Sequence, residues 1–392
     1  MKPVAITGVG VVSSLGVGWS AFVEALGSPA PAEFSRAPAT VPRSPHPALR
    51  VAEVAGFDAA RYVGDKGLRN NDRLTRLSIV AARLCLEHAA IKAGGAFTSY
   101  DGDGVGVVAS TAYGSTEAVA ENNRIAKTED PRYLNPARFP NTVINSAFGY
   151  VSIWEELRAL NVTVTNGPTG PLDAMSCAGV YLDAGRARAI VAGGAEASSE
   201  LLWESLLRVG ALACEGDERH PPNAGITLGE GAALFALESP ADAAARGARV
   251  LGELVGYGSQ FDHDAAAPHL VAPSSTALAR AIREALDDAG VAPGEVDLVV
   301  SGLCGQPALD EAERAAIAAA LPAAAVCAPK ARLGETFGAS GALALACALG
   351  WFEGAAVRDG VSGEIPPRID TVVITALGFY GNASALVVRR AK

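Results

Sequence analysis

Apolar residues recur along this chain with two alternating periods. Val162 and Val164 alternate with threonines before the turn formers Asn166-Gly167 and Gly170-Pro171. This predicts a strand over Val162–Thr165, a tight turn over Asn166–Gly170, a helix from Pro171 to about Ala184 and a second strand over Ala189–Ala192. Upstream, Val4–Thr7 reads as a short buried strand leading into a glycine-punctuated turn and a helix over Gly18–Leu26. Leu74, Leu77, Val80 and Leu84 keep helical spacing and predict a core helix over Arg73–Ala90. Gly104–Ser110 is the next strand, followed by a helix within residues 111–130 and another over Ser146–Leu160.

The second half repeats the alternation. Thr227–Glu238 runs into an apolar strand, Ala241–Val250 is a link, and Leu251–Tyr257 is a strand. An amphipathic helix over Ser274–Ala289 meets Gly290 as its stop. Strands over Val296–Val300, Ala325–Ala328 and Thr371–Thr375 then alternate with helices over Glu311–Leu321 and Gly341–Trp351. Strands alternating with helices predict a mostly parallel, layered α/β fold. The six prolines between Ser28 and Leu49 exclude regular structure there and mark a surface excursion.

Composition narrows the function. At 392 residues and 49% hydrophobic the chain can bury a large core. A formal charge of -10 and a pI near 5.1 give no basic footprint for nucleic acid or an anionic membrane. The start has glycines where a signal peptide would be continuously apolar, and no run reaches membrane-spanning length, so a cytoplasmic location is expected. The six cysteines form no CxxC pair and sit in apolar or small-residue settings, which suits free buried thiols and no metal site. Gly8, Gly10 and Gly16 miss the GxGxxG spacing and lack an acidic ribose partner, so no dinucleotide or other cofactor is expected. His88 falls near a helix end, where a capping or solvated role suits it.

A strand that feeds a helix through a sharp turn is where α/β enzymes mount a nucleophile. Here the turn holds Pro168, which has neither a nucleophilic atom nor a backbone N–H.

Six blocks in order over nearly the whole chain carry a family likeness. They are VAITGVGVVSSLG (4–16), FPNT (139–142), the central stretch from Asn161 to Glu196, ITLGEGAALFALE (226–238), PKARLGETFGASGA (329–342) and LGFYGNASALVV (377–388). Together they resemble the β-ketoacyl synthases of the thiolase fold. The resemblance implies an αβαβα layered architecture of two similar halves, 1–245 and 246–392.

It also implies where a catalytic cysteine, two histidines and an oxyanion hole would stand. Counting back from Gly193-Gly194, with Gly185 and Leu172-Asp173-Ala174 in register, the cysteine position is Pro168. With Pro307, Asp310 and Glu313 in register, the first histidine position is Gly302. Lys330, Gly334, Gly338 and Ala339 match the motif of the second, where Glu335 replaces the histidine while Lys330 is retained. None of the five histidines follows residue 269. Cys177 and Cys304 read as structural thiols, since neither has a histidine base. The former oxyanion and gating loop is implied at Gly378, Phe379, Tyr380 and Gly381.

A full-length fold with every catalytic side chain replaced resembles the chain-length factors, the KSβ partners of type II polyketide ketosynthases. The PLDAM block agrees with that branch, although its members typically carry glutamine where Pro168 stands. The resemblance implies a heterodimer with a cysteine-containing ketosynthase, visited by an acyl carrier protein. It places a chain-tunnel wall at Thr116, Val119 and Asn123, whose spacing of three and then four shares one helix face. Two alternatives stand beside it: an enzyme of this fold with relocated chemistry (acyltransferase, hydrolase or malonyl decarboxylase), and an acyl-binding scaffold.

Overall fold

The computed structural model describes residues 1–30, 34–36, 50–213, 225–263 and 271–391. Most of the proline-rich excursion, together with Cys214, His46, His220 and His269, lies outside the described residues. Eleven strands form the path of the main sheet: β1 (Val4–Ser13), β2 (Val105–Ser110), β3 (Asn161–Val164), β4 (Ala189–Glu196), β5 (Gly231–Glu238), β6 (Gly252–Phe261), β7 (Leu298–Val300), β8 (Ala325–Cys327), β9 (Gly360–Ser362), β10 (Thr371–Leu377) and β11 (Asn382–Arg390). The longer helices are α1 (Trp19–Gly27), α2 (Arg73–His88), α3 (Thr116–Thr128), α4 (Ser146–Glu155), α5 (Gly170–Asp183), α6 (Glu200–Arg208), α7 (Ser275–Ala289), α8 (Pro307–Ala320) and α9 (Ser340–Phe352).

The strand order β9-β8-β7-β10-β11-β6-β1-β5-β4-β2-β3 contains the same pattern twice. From β1 outward the pairings to β5, β4, β2 and β3 are antiparallel, antiparallel, parallel and parallel. From β6 outward the pairings to β11, β10, β7 and β8 follow the same sequence. A short antiparallel contact of Val4, Ala5 and Ile6 with Leu254, Glu253 and Gly252 joins the two units.

Side-chain alternation builds the layers. On β4, Ile190 and Ala192 enter one core while Ala189, Val191 and Ala195 enter another, as a period of two dictates. On β10, Val372 and Ile374 join that first core, whereas Val373 faces a third. The shared core lies between the units and contains α5 and α9, through Leu172, Met175, Leu343 and Ala346. Helices α2 and α4 cover the outside of one unit, and α7 and α8 cover the other. This is the thiolase-like five-layer arrangement.

Several elements differ from the sequence reading. The strand expected to stop at Thr7 runs to Ser13, because Gly8 and Gly10 are not a turn. A Cβ on Gly8 would stand 2.5 Å from the Ala89 Cβ, and one on Gly10 would stand 2.5 Å from the Cys85 nitrogen, so both glycines let α2 lie against the strand. Gly256 and Gly258 on β6 do the same for α7, where added Cβ atoms would meet Ala289 and Ala285. The helix expected over Ser146–Leu160 ends at Glu155, with Glu156 left-handed at φ 54°. The expected link after Glu238 contains a one-turn helix, Pro240–Ala245, capped by Ser239. His88 neither caps its helix nor sits free in solvent: its Nδ1 lies 3.1 Å from the Val9 nitrogen on β1.

Candidate functional site

The two central helices point their N-termini at each other. A 3-10 turn, Gly167–Thr169, leads into α5, and another, Phe337–Ala339, leads into α9; the two turns touch. Gly167 takes φ 65°, which glycine adopts without a Cβ penalty, and this sharpens the turn that presents Pro168. Asp173, one turn into α5, fastens it. Its carboxylate accepts from Thr169 Oγ1 at 3.0 Å, Asn166 Nδ2 at 2.8 Å, Tyr257 OH at 2.8 Å and Ser384 Oγ at 2.6 Å.

Pro168, Gly302 and Lys330 do converge. They border one cavity of only about 20 Å³, closed by Leu333 and Leu343, which is room for about one water. Glu335 lies beside it and is fully engaged. Its carboxylate accepts from Lys330 Nζ, Ser340 Oγ and the Phe337 N–H, each at 2.6 Å. Lys330 Nζ also donates to the Gly302 carbonyl at 2.9 Å. The Gly302 N–H donates to Glu313 Oε1 at 2.7 Å, and Thr375 Oγ1 donates to that same oxygen. Burial, the largest single influence, would draw the Lys330 ammonium down, but the Glu335 charge and hydrogen bond together with Cys304 and Glu313 outweigh it and raise the pKa. Burial raises the Glu313 carboxyl.

Burial holds the Cys304 and Cys177 thiols towards their neutral form. Burial pushes Cys304 up to about 12, although Lys330 pulls the other way, and it also raises Cys177. A thiol held in that range supplies little thiolate near neutrality. Among the described residues, no three His, Cys, Asp or Glu side chains are grouped so as to hold a metal ion. No helix there is long and apolar enough to cross a membrane.

Gly378, Phe379, Tyr380 and Gly381 connect β10 to β11 above the Pro168 turn. Phe379 stacks edge-on against Phe337, which meets Tyr113 in the same way. Phe379 and Tyr380 border a more open cleft of about 520 Å³, shared with Pro168, Thr169 and Gln260. The loop therefore lies over the Pro168 turn.

Thr116, Val119 and Asn123 lie on one face of α3, but that face borders none of these cavities. Thr116 Oγ1 bonds Ser199 Oγ at 2.9 Å, and Val119 and Asn123 are exposed. Beneath the opposite face lies a cavity of about 340 Å³, bordered by Glu117, Ala118, Glu121 and Asn122 from α3. The sequence reading missed it, because its other walls come from residues 57–76 and 138–141, brought there only by the tertiary fold.

Sequence reading also passed over Glu196, at the end of β4. It is fully buried and accepts from the Ala112 N–H at 2.7 Å, the Gly338 N–H at 3.2 Å and Thr111 Oγ1 at 3.1 Å. It thereby ties the approach to α3 to the turn before α9. Burial pushes its carboxyl up to about 7. Its run of glycine and alanine gave no hint that its neighbours would be backbone donors.

The profile described as "Beta-ketoacyl synthase, N-terminal domain" matches residues 1–243, and "Beta-ketoacyl synthase, C-terminal domain" matches residues 251–358. The chain belongs to the β-ketoacyl synthase family. Within that family it is similar to the tetracenomycin polyketide synthase ketoacyl synthase beta subunit of Streptomyces glaucescens, 31% identical over 99% of this chain and 98% of that one. It is also similar to the 3-oxoacyl-[acyl-carrier-protein] synthase 2 of Coxiella burnetii, 29% identical over 99% of both chains. Among solved structures, the ishigamide ketosynthase/chain length factor covers both chains fully with a TM-score of 0.86 at 24% identity. A β-ketoacyl synthase from Burkholderia phymatum gives the same values. At that identity these two support the fold.

Proposed function

We propose that this β-ketoacyl synthase family chain is the non-catalytic, chain-length-factor subunit of a type II polyketide synthase. It pairs with a cysteine-containing ketosynthase and shapes the tunnel into which an acyl-carrier-protein-bound polyketide or polyene chain grows. The observation that carries this reading is the meeting of Pro168, Gly302 and Lys330 around about 20 Å³. Decarboxylative condensation needs a thiolate to hold the acyl chain, two donors for the enolate and amides for the thioester oxyanion. Pro168 offers neither thiol nor N–H, Gly302 offers no side chain, and Glu335 offers an acceptor already filled by three donors. The space that Pro168, Gly302 and Lys330 share leaves no room for a malonyl group, and the cleft of about 520 Å³ that Pro168 also borders is lined by neither Gly302 nor Lys330.

The heterodimer is supported by similarity to a ketoacyl synthase beta subunit and to a structure described as a ketosynthase/chain length factor, and the visiting carrier protein by similarity to a 3-oxoacyl-[acyl-carrier-protein] synthase. In this reading residues 1–245 and 246–392 are the two ketosynthase-like halves, α3 stands at the distal end of a tunnel formed with the partner, and Thr116, Val119 and Asn123 are its wall, Val119 and Asn123 being exposed in the single chain. The complex works in the cytoplasm. Relocated chemistry at Cys304 or Cys177 is disfavoured by the burial that raises both thiols.

The test is native mass spectrometry of the chain co-expressed with its cysteine-containing ketosynthase. A stable one-to-one heterodimer is expected, together with no malonyl-thioester turnover by this chain alone. A homodimer that ignores the ketosynthase, or turnover by the isolated chain, overturns the reading.

A further inference from the structure

The two units meet through Val4, Ala5 and Ile6 on β1 and Leu254, Glu253 and Gly252 on β6, and the pairing of these strands stops there. Strands that part leave outward backbone groups without a ladder partner, and such groups need another one. Each strand finds it in a side chain from the end of the helix that lies on it. On β1 the Val9 N–H donates to Nδ1 of His88, the last residue of α2, at 3.1 Å. On β6 the Tyr257 N–H donates to Oδ2 of Asp288, near the end of α7, at 3.0 Å.

The two contacts are copies of one another. Val9 lies between Gly8 and Gly10, and Tyr257 between Gly256 and Gly258, the glycines that let each helix come close. Added Cβ atoms would meet Cys85 and Ala89 in one unit and Ala285 and Ala289 in the other. The bonds that end the helices repeat too, from the Ile91 N–H to Leu86 O and from the Val291 N–H to Leu286 O. His88 and Asp288 therefore hold equivalent places.

Their chemistry differs. An ionised carboxylate only accepts, whereas an imidazole nitrogen accepts when bare and donates when protonated. Carboxylates as a class titrate near pH 4 and imidazoles near 6.5. His88 Nδ1 also stands 3.2 Å from the Val9 carbonyl. A proton on that nitrogen exchanges the N–H for the carbonyl and leaves the N–H unmatched.

The surroundings favour the neutral ring. His88 is half-buried, with the Trp19 ring of α1 6.2 Å away, and β1 meets it with backbone. The charged groups acting on it are Glu353, at the end of α9, and Arg249, in the link between the units. The Glu353 carboxylate is already taken, by Trp19 Nε1 at 2.9 Å and by Arg249 at 2.7 Å. Arg246 reaches the neighbouring Ala89 carbonyl at 2.8 Å and is paired with Glu238. Burial draws the imidazole below its ordinary value and Arg249 adds to this, while the Val9 contact and Glu353 push the other way. The stabilising contribution of His88 is thus complete above about pH 6.5 and is lost as pH falls through the lower folded value.

We propose that His88 is a proton-operated clasp between α2 and β1, closed while its imidazole is neutral and released when it is protonated, and that the matching clasp of Asp288 on β6 has no such release in mild acid. The first unit is then the one that loosens as pH falls towards 5, whatever the chain pairs with.

The experiment uses the full chain labelled with 15N at histidine. The His88 signals are identified by their loss in His88→Asn or in His88→Gln. At pH 7.5 the Nδ1 resonance is expected at the position of a bare, accepting nitrogen, and it should move to that of a protonated one only below the usual imidazole range. Urea unfolding at pH 7.5 and 5.0 supplies the second readout. The unfolding constant of the parent should rise between these values by roughly 3- to 10-fold more than that of His88→Asn, whose carboxamide oxygen accepts at either pH. A proton already on Nδ1 at pH 7.5, or an equal response of parent and variants to pH, overturns the proposal.

Discussion

Lys330 Nζ lies 2.6 Å from Glu335 Oε2, with side chains only 13% and 3% exposed. In the proposed reading Glu335 takes the place of the second histidine of the family motif. An ammonium so enclosed needs its counter-charge, and Gly302 O gives it one more acceptor. Replacing Glu335 by Leu strands the lysine charge and should cost about 3–5 kcal/mol. Glu335→Leu combined with Lys330→Met should recover most of that loss. Urea unfolding of Glu335→Leu, Lys330→Met and the double variant checks the coupling, and a double loss equal to the sum of the two single losses would show that the pair is not energetically linked.

The sequence carried the layered architecture because its central strands are buried and send alternate residues to the two faces, while its helices obey a period of 3.6. It carried the centre of the site too, since Pro168, Gly302 and Lys330 meet around one cavity. What it could not carry were contacts between distant segments. Gly8 and Gly10 read as a turn because a glycine needed for close helix approach looks the same in sequence as one needed for a bend. Asn71 and Asn141 lay in separate unremarkable stretches, and only the fold brings both to the cavity under α3.

A cysteine returned to position 168 should remain unreactive. The turn would again present a thiol and an N–H, but the cavity it shares with Gly302 and Lys330 has about 20 Å³, and among the described residues no histidine borders that cavity or the neighbouring cleft to take the proton. Pro168→Cys incubated with acyl-carrier protein is expected to show no acyl adduct by intact-protein mass spectrometry. Stoichiometric acylation would mean that the site is intact apart from its nucleophile.

The duplicated glycine contacts predict duplicated sensitivity. Gly10→Ala drives a methyl into the Ala81 carbonyl of α2, and Gly258→Ala drives one into the Ala281 carbonyl of α7. Neither obstacle is a flexible side chain, so each variant should lose about 1–3 kcal/mol or more. Thermal denaturation of both variants should show comparable drops. A neutral Gly258→Ala would mean that the second strand–helix contact has slack that the first lacks.

Acid should relieve the cost of burying Glu196, the carboxylate that ties the approach to α3 to the turn before α9. Burial raises its carboxyl to about 7 in the folded protein, against about 4.5 when unfolded. Between those values the folded state binds a proton that the unfolded state does not, so this group's contribution to stability increases as pH falls from about 8 to about 5. The shift bounds the effect at about 3 kcal/mol. Carboxylates with ordinary pKa values also lose native interactions towards pH 5, so the sign is read from a difference. Glu196→Gln, which keeps an acceptor for the Ala112 N–H and removes the titration, should lose less stability than the parent chain as pH rises from 5.5 to 8. Urea midpoints of both proteins at those two pH values decide it: identical slopes would mean that Glu196 stays charged throughout and that its backbone donors, and not burial, govern it.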